Sequence, residues 1–351
     1  MELLYRQQGF TTKVIYGETL FSQLKQSELL ENQACIILTN QRYYDLFSQK
    51  INRLFPNQQF VDWYICTNST DCNNLDELSA LLEFVKRFSS NEEYLIIGFG
   101  NQGIMELASF FQKVTTLSTK LWLWPVSLRA FSQSLVPTSK ILQTPHVAMM
   151  QVANLSESIF YDQTISEQQS SGKLIDFLVL VRCGVVCDYD FLRILFENYP
   201  TQSKLFAQPL TGMLEKITYF YSKRETNITN YGKLFEQSFY LTENGHLLSS
   251  EMKQLMGLIF HLCWNTIVTG WTFHLENFLR WLASLGYPIE WIPHLSQADY
   301  LQQVYALGQK SKKILVLKKI SIIEEYRRPS EKELLLTMEL YQKIVREIRG
   351  N

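Results

Sequence analysis

The segment Tyr94-Leu-Ile-Ile-Gly-Phe-Gly-Asn-Gln-Gly-Ile-Met-Glu106 runs an apolar strand into three glycines and out into a helical pattern. Gly98, Gly100 and Gly103 have the spacing that lets a backbone turn sharply and bring helix N-terminal amides against a phosphate. A turn of this kind lies at the carboxyl end of a strand in an α/β sheet, so it constrains the fold before it says anything about a ligand. A dinucleotide site of the usual kind also has an acidic residue about 20 positions further on to hold the ribose. The window Leu117–Trp124 contains no Asp or Glu. The turn therefore predicts an open α/β sheet more firmly than a bound nucleotide.

The rest of the first half agrees with a parallel sheet. Short β-branched or aromatic runs at Lys13–Tyr16, Ala34–Leu38, Phe60–Ile65, Tyr94–Ile97 and Lys120–Trp124 alternate with helical patterns. One such pattern, Leu75–Phe88, places Leu78, Leu81, Leu82 and Val85 on one face. This βαβ order predicts a Rossmann-like, mostly parallel domain over residues 1–165. A Gln/Ser-rich piece, Ser166–Gly172, reads as a boundary. Beyond it the helical period dominates, over Leu174–Asn198, Gly212–Arg224, Ser250–Phe273, Leu275–Leu285, Gln297–Leu307 and Ser330–Arg349. One strand-like run, Lys313–Leu317, interrupts it, so residues 173–351 are expected to form a mainly helical domain.

Charge and cysteine content narrow the function classes. With 33 basic and 34 acidic residues the formal net charge is -1, and no long run of either sign offers a field to nucleic acid. The N-terminal residues lack a basic segment followed by an apolar one, which places the protein in the cytoplasm. The uncharged stretch Gln254–Phe273 has the length of a membrane span, but His261, Asn265 and several Thr residues interrupt it, and it is read as a core helix. The cysteines at 35, 66, 72, 183, 187 and 263 include no Cys-x-x-Cys pair. Cys183 and Cys187 have helical spacing without a second cluster to complete a metal site, so reduced, partly buried thiols are expected.

An α/β domain with a glycine turn, followed by a helical domain, resembles the 3-dehydroquinate synthase family over nearly the whole chain. The family's Gly-Gly-Gly-x-x-Gly-Asp-Leu-Ala-Gly-Phe is similar to Gly100-Asn-Gln-Gly-Ile-Met-Glu-Leu-Ala-Ser-Phe110. Its Pro-Thr-Thr-Leu-Leu-Ala is similar to Pro125–Ala130, its Lys-Tyr-Gly-Leu-Ile to Arg182–Val186, and its Asp-Lys-Lys to Ser311–Lys313. The resemblance implies a homodimer and a chemistry that uses zinc and a tightly held NAD. NAD transiently oxidises a hydroxyl of a seven-carbon sugar-acid phosphate while zinc polarises its oxygens and phosphate is lost. Zinc at such a site needs three lone-pair ligands and an open position.

Carried over residue by residue, the resemblance implies that this machinery is gone. The three metal positions, a Glu and two His in the family, fall on Val179, Gln237 and Ser249. A proton-handling His falls on Leu241. The cofactor-holding Asp at the end of a strand falls on Asn40, and the triple glycine has become Gly100-Asn101-Gln102. An Asp and a Lys of a further loop fall on Gln133 and Ser139. The cofactor positions Gly98, Gly100, Gly103 and Asn40 are accordingly read as vestigial. Zinc and NAD are not expected, because loss of even one ligand in three weakens metal affinity severely.

The remaining candidates carry less. Arg182, Lys216 and Lys313 match basic positions around substrate oxygens, and read either as a residual anion site or as three scattered surface cations. Glu106 is read as a first-turn carboxylate favouring the helix dipole. His246 lies three residues before Ser249 and reads as a loop residue, as do His146 and His294 beside prolines. His261 and His274 read as packed or capping residues, and Trp122, Trp124, Trp264 and Trp271 as core. No Ser/His/Asp or Cys/His/Asn order supplies an independent catalytic set. The expected function is a catalytically inactive scaffold that binds a partner or small ligand. The alternatives are a divergent cyclase or NAD-dependent dehydrogenase with a rebuilt site, and a purely structural subunit.

Overall fold

The structure, a computed structural model, describes residues 1–17, 34–55, 61–144, 147–166, 172–271 and 274–350. Phe60, His146, Phe273 and most of the Gln/Ser-rich piece lie outside the described residues. The chain divides into two compact units, Met1–Gly172 with Pro209–Ser222, and Lys173–Gln208 with Lys223–Asn351.

The first unit has strands β1 (Glu2–Gln7), β2 (Phe10–Gly17), β3 (Ala34–Asn40), β4 (Val61–Cys66), β5 (Glu93–Gly100), β6 (Ser118–Pro125), β7 (Thr138–Thr144), β8 (Val147–Ala153) and β9 (Ser158–Asp162). Seven of them form one sheet in the order β1-β2-β9-β6-β5-β3-β4, while β7 and β8 pair as a separate hairpin. Only the β1–β2 pair of the large sheet is antiparallel. Ile36, Ile37, Leu95, Ile96, Ile97, Leu121 and Leu123 are all buried, because a parallel strand covered on both faces must be apolar at successive positions.

Between the strands run α1 (Gln41–Asn52), α2 (Leu75–Val85), α3 (Gln102–Val114) and α4 (Leu128–Ser134). Each is opened by an extended residue, Asn40, Asn74, Asn101 or Ser127, whose side chain accepts the backbone N–H three positions on. The chain moves outward from β3 to β4, then returns past β3 to β5 and outward again to β6. The carboxyl ends of β3 and β5 are therefore the point where the winding reverses, the usual position for a ligand crevice in an open α/β sheet.

The second unit is mainly helical: α5 (Lys173–Cys187), α6 (Tyr189–Asn198), the C-terminal part of α7 (Leu214–Asn230), α8 (Lys233–Leu241), α9 (Ser250–Thr269), α10 (Leu275–Ser284), α11 (Gln297–Lys310) and α12 (Glu331–Arg349), with the hairpin β10 (Ile314–Lys319) and β11 (Ile322–Arg327). The helical pattern Leu174–Asn198 is two helices, broken where Asp188 turns extended and accepts the Phe191 N–H. Helix α9 is the core of the unit, with Leu255–Asn265 buried on every side and Trp264 fully enclosed. Among the described residues no helix is long and apolar enough to cross a membrane.

Candidate functional site

At the winding reversal the glycines are pressed against the protein itself. A Cβ on Gly98 would lie 2.8 Å from Ala108 Cβ, and one on Gly100 would lie 2.9 Å from Ile104 Cγ1. On Gly103 it would collide with the Thr70 carbonyl oxygen and lie 2.9 Å from Cys72 Sγ. The three glycines are required by the packing of β5, α3 and the loop after β4, whether or not a ligand is present. Asn101 closes the same corner: its Oδ1 accepts the Ile104 N–H at 3.2 Å, and its Nδ2 donates to the Ser69 carbonyl at 3.1 Å. Across the reversal Asn40 is buried, and its Oδ1 accepts the Tyr43 N–H at 3.1 Å. Both helix N-termini that would face a phosphate are capped by their own chain.

Glu106 is not a first-turn residue of α3, whose first turn holds no acidic side chain. Its carboxylate accepts from Gln133 Nε2 at 2.8 Å and from the Lys140 backbone N–H at 2.6 Å, which ties α3 to α4 and β7. Gln133, Ser139 and Glu106 line one small internal space of about 10 Å³, room for a single water and no organic ligand.

In the helical unit, Val179 on α5, Gln237 on α8 and Ser249 before α9 stand on elements that pack together, α9 touching both α5 and α8. Gly232 and Gly257 allow the approach of α8 to α9, since a Cβ on Gly257 would lie 2.7 Å from the Gly232 carbonyl and 2.9 Å from Glu236 Cβ. Ser249 Oγ accepts the Met252 N–H at 3.2 Å. One turn further along α9 is Lys253, 4% exposed, its Nζ 3.8 Å from the centroid of the Tyr240 ring. Burial pushes this ammonium's pKa down, and the charge of buried Glu236 pulls it back up. Glu236 also accepts from Lys233 Nζ at 3.1 Å. A lysine on a helix reads as a surface residue, so this cluster was not legible from periodicity. The signal lay in the segment Glu236–Leu241, where Glu236 and Tyr240 stand at the glycines of the family's Gly-His-Thr-Phe-Gly-His.

His261 is a packed residue with both ring nitrogens committed. Nδ1 accepts the Gly232 N–H and Nε2 faces the Leu315 carbonyl, each at 2.7 Å, so the neutral ring carries its proton on Nε2. Burial pushes its pKa down to about 4, and the ring stacks on Tyr231 at 3.9 Å. His246, His274 and His294 are exposed, and His274 makes no side-chain cap at the start of α10. Arg182 on α5 has a buried Nε with no hydrogen-bond partner among the described residues. Lys313, also in the second unit, and Lys216, in the first, are exposed. Trp122, Trp124 and Trp264 are core, but Trp271 is half-buried at the edge of a surface cavity, because α9 ends at Gly270 in the left-handed conformation and turns the next residue out of the helix.

No family model matches the chain. Curated relatives include the 3-dehydroquinate synthase of Listeria welshimeri, 18% identical over 266 residues and covering 72% of each chain. That of Listeria monocytogenes serotype 4a is 19% identical over 305 residues, covering 82% of each. Among solved structures, 2-deoxy-scyllo-inosose synthase complexed with carbaglucose-6-phosphate, NAD+ and Co2+ matches with a TM-score of 0.76 at 12% identity, over 98% of this chain and 99% of that one. The 2-epi-5-epi-valiolone synthase of Streptomyces hygroscopicus subsp. jinggangensis, with NAD+ and Zn2+ bound, matches with a TM-score of 0.78 at 9% identity, over 96% and 98%. The chain has a dehydroquinate-synthase-like fold and is similar in sequence to 3-dehydroquinate synthases.

In this dehydroquinate-synthase-like chain the matched positions do not fit the groups that the resemblance implies. The Val179 side chain has no lone pair, Gln237 offers a neutral amide, and the Ser249 hydroxyl already serves as a helix cap. The Lys253 ammonium, one turn from Ser249 and beside the ring next but two to Gln237, would repel a divalent cation. Among the described residues no group of three His, Cys, Asp or Glu side chains could hold a metal ion. At the glycine turn, Asn101 takes the α3 amide that a pyrophosphate on that helix would need.

Proposed function

We propose that this dehydroquinate-synthase-like protein is catalytically inactive, binds neither zinc nor NAD as a working cofactor, and uses its scaffold to bind a partner or a small ligand. The observation that carries this reading is the buried Lys253 ammonium, stacked on Tyr240 and coupled to Glu236, amid helices whose metal-matched positions hold Val179, Gln237 and Ser249. A fixed cation in place of a metal-ligand shell supports replacement of the site, beyond the loss of one ligand. The self-capped Asn40 and Asn101 support the same reading for the dinucleotide.

The reading extends to a cytoplasmic homodimer with no role in nucleic-acid binding. Arg182, whose Nε makes no hydrogen bond among the described residues, is the best of the three cations for a retained anion contact, ahead of exposed Lys216 and Lys313. The test is release of inorganic phosphate from the family's seven-carbon sugar-acid phosphate by the purified chain supplied with NAD and zinc. The expected result is a rate indistinguishable from the protein-free control; turnover abolished by a chelator would overturn the reading.

A further inference from the structure

A surface cavity of about 710 Å³ lies wholly within the helical unit. Val179, Gln237 and Ser249 do not line it. Its volume is in the range that encloses a small organic molecule. One wall is the face of α6 that presents Tyr189, Arg193 and Phe196 at helical spacing. The lining continues with Phe278 and Trp281 of α10, and with Trp271 just beyond the end of α9. The turn between β10 and β11, Lys319–Ile322, closes one side.

The walls are fixed by interactions behind them. Trp281 Nε1 donates to the Tyr199 carbonyl at 2.8 Å, and its ring meets Phe196 and Phe278 at centroid distances of 5.6 and 5.9 Å. Ser321, at φ 65, donates its N–H to the Val185 carbonyl at 2.8 Å and accepts from Arg224 Nη1 at 2.7 Å, which pins the turn. Tyr189 and Phe196 remain 55% and 49% exposed, so their ring surface is open to a molecule in the cavity. Among the described residues the lining has no Asp or Glu, while Arg193, Lys319 and His274 all border it. Arg193 pairs with the exposed carboxylates Asp190 at 3.4 Å and Glu197 at 3.8 Å, contacts that a ligand can displace cheaply.

We infer that this cavity is a binding site for a small organic anion with a flat apolar body, its ring between the aromatic side chains and its carboxylate or equivalent group at Arg193 and Lys319. The aromatic faces account for affinity without a demand for exact shape, and the two cations set the sign of the ligand's charge.

Calorimetric titration of the full chain with 1-naphthoate and with 1-naphthalenemethanol, a matched pair differing in charge, tests this directly. The expected result is one site per chain, at least tenfold tighter for the carboxylate. In the R193A/K319A double variant, both exposed positions, affinity for the carboxylate should fall about tenfold to that of the alcohol, with the alcohol unchanged. A W271A variant, checked for its fold by circular dichroism, should weaken both ligands. No binding of either compound, equal affinity for both, or a charge preference that survives R193A/K319A would overturn the inference.

Discussion

Lys253 and His261 lie buried on one helix, the first beside a carboxylate and a ring face, the second held neutral between a backbone donor and acceptor. Replacing Lys253 by Met removes the cation–π contact and Glu236's second cation, and should destabilise the chain by about 1–2 kcal/mol in urea unfolding. His261 imposes a pH dependence of definite sign. Its pKa is depressed by folding, so the unfolded chain binds the extra proton, and its contribution is complete above the unfolded value of about 6.5. As the pH falls from about 6.5 toward 4 that contribution, about 3 kcal/mol, is lost. Urea titrations at a series of pH values should show this slope in the native chain and a flatter one in His261→Gln; equal slopes would remove His261 as the cause.

In the strand–turn–helix unit the spacing of the glycines is set by the packing of the chain itself. Gly103 is held by contact with Thr70 and Cys72, so Gly103→Ala should cost about 1–3 kcal/mol despite the helix propensity gained, as overpacking against a backbone does. Asn101→Ala should cost about 1 kcal/mol through loss of the cap alone. If instead Asn101→Ala leaves stability unchanged in thermal unfolding, the side chain is not what satisfies the helix end. Strands β3, β5 and β6 were legible because burial on both faces makes them uninterrupted apolar runs. Strand β1 and the β7–β8 hairpin were not, since their exposed residues break the apolar pattern that marks a strand. The break at Asp188 was hidden because the apolar residues of α5 and α6 continue across it, with only the Asp cap to mark the end. For the site, residue types alone set the readings at Val179, Gln237 and Ser249, whereas the burial of Lys253 against the Tyr240 ring has no signature in the sequence pattern.

At the scale of the molecule, a dehydroquinate-synthase-like fold persists over nearly the full length at 9–12% identity to solved structures. What such a fold requires is the apolar sheet, the helix caps and the glycine contacts, and these are present; what a reaction requires is a set of side chains at fold-neutral positions, free to change once selection on chemistry ends. The central claim is that a lysine ammonium and its partners have replaced a metal shell. Calorimetric titration of zinc into the purified, chelator-treated chain tests it most directly. The account predicts no saturable site at one ion per chain; stoichiometric, tight binding that disappears on substitution of Gln237 or Ser249 would contradict it.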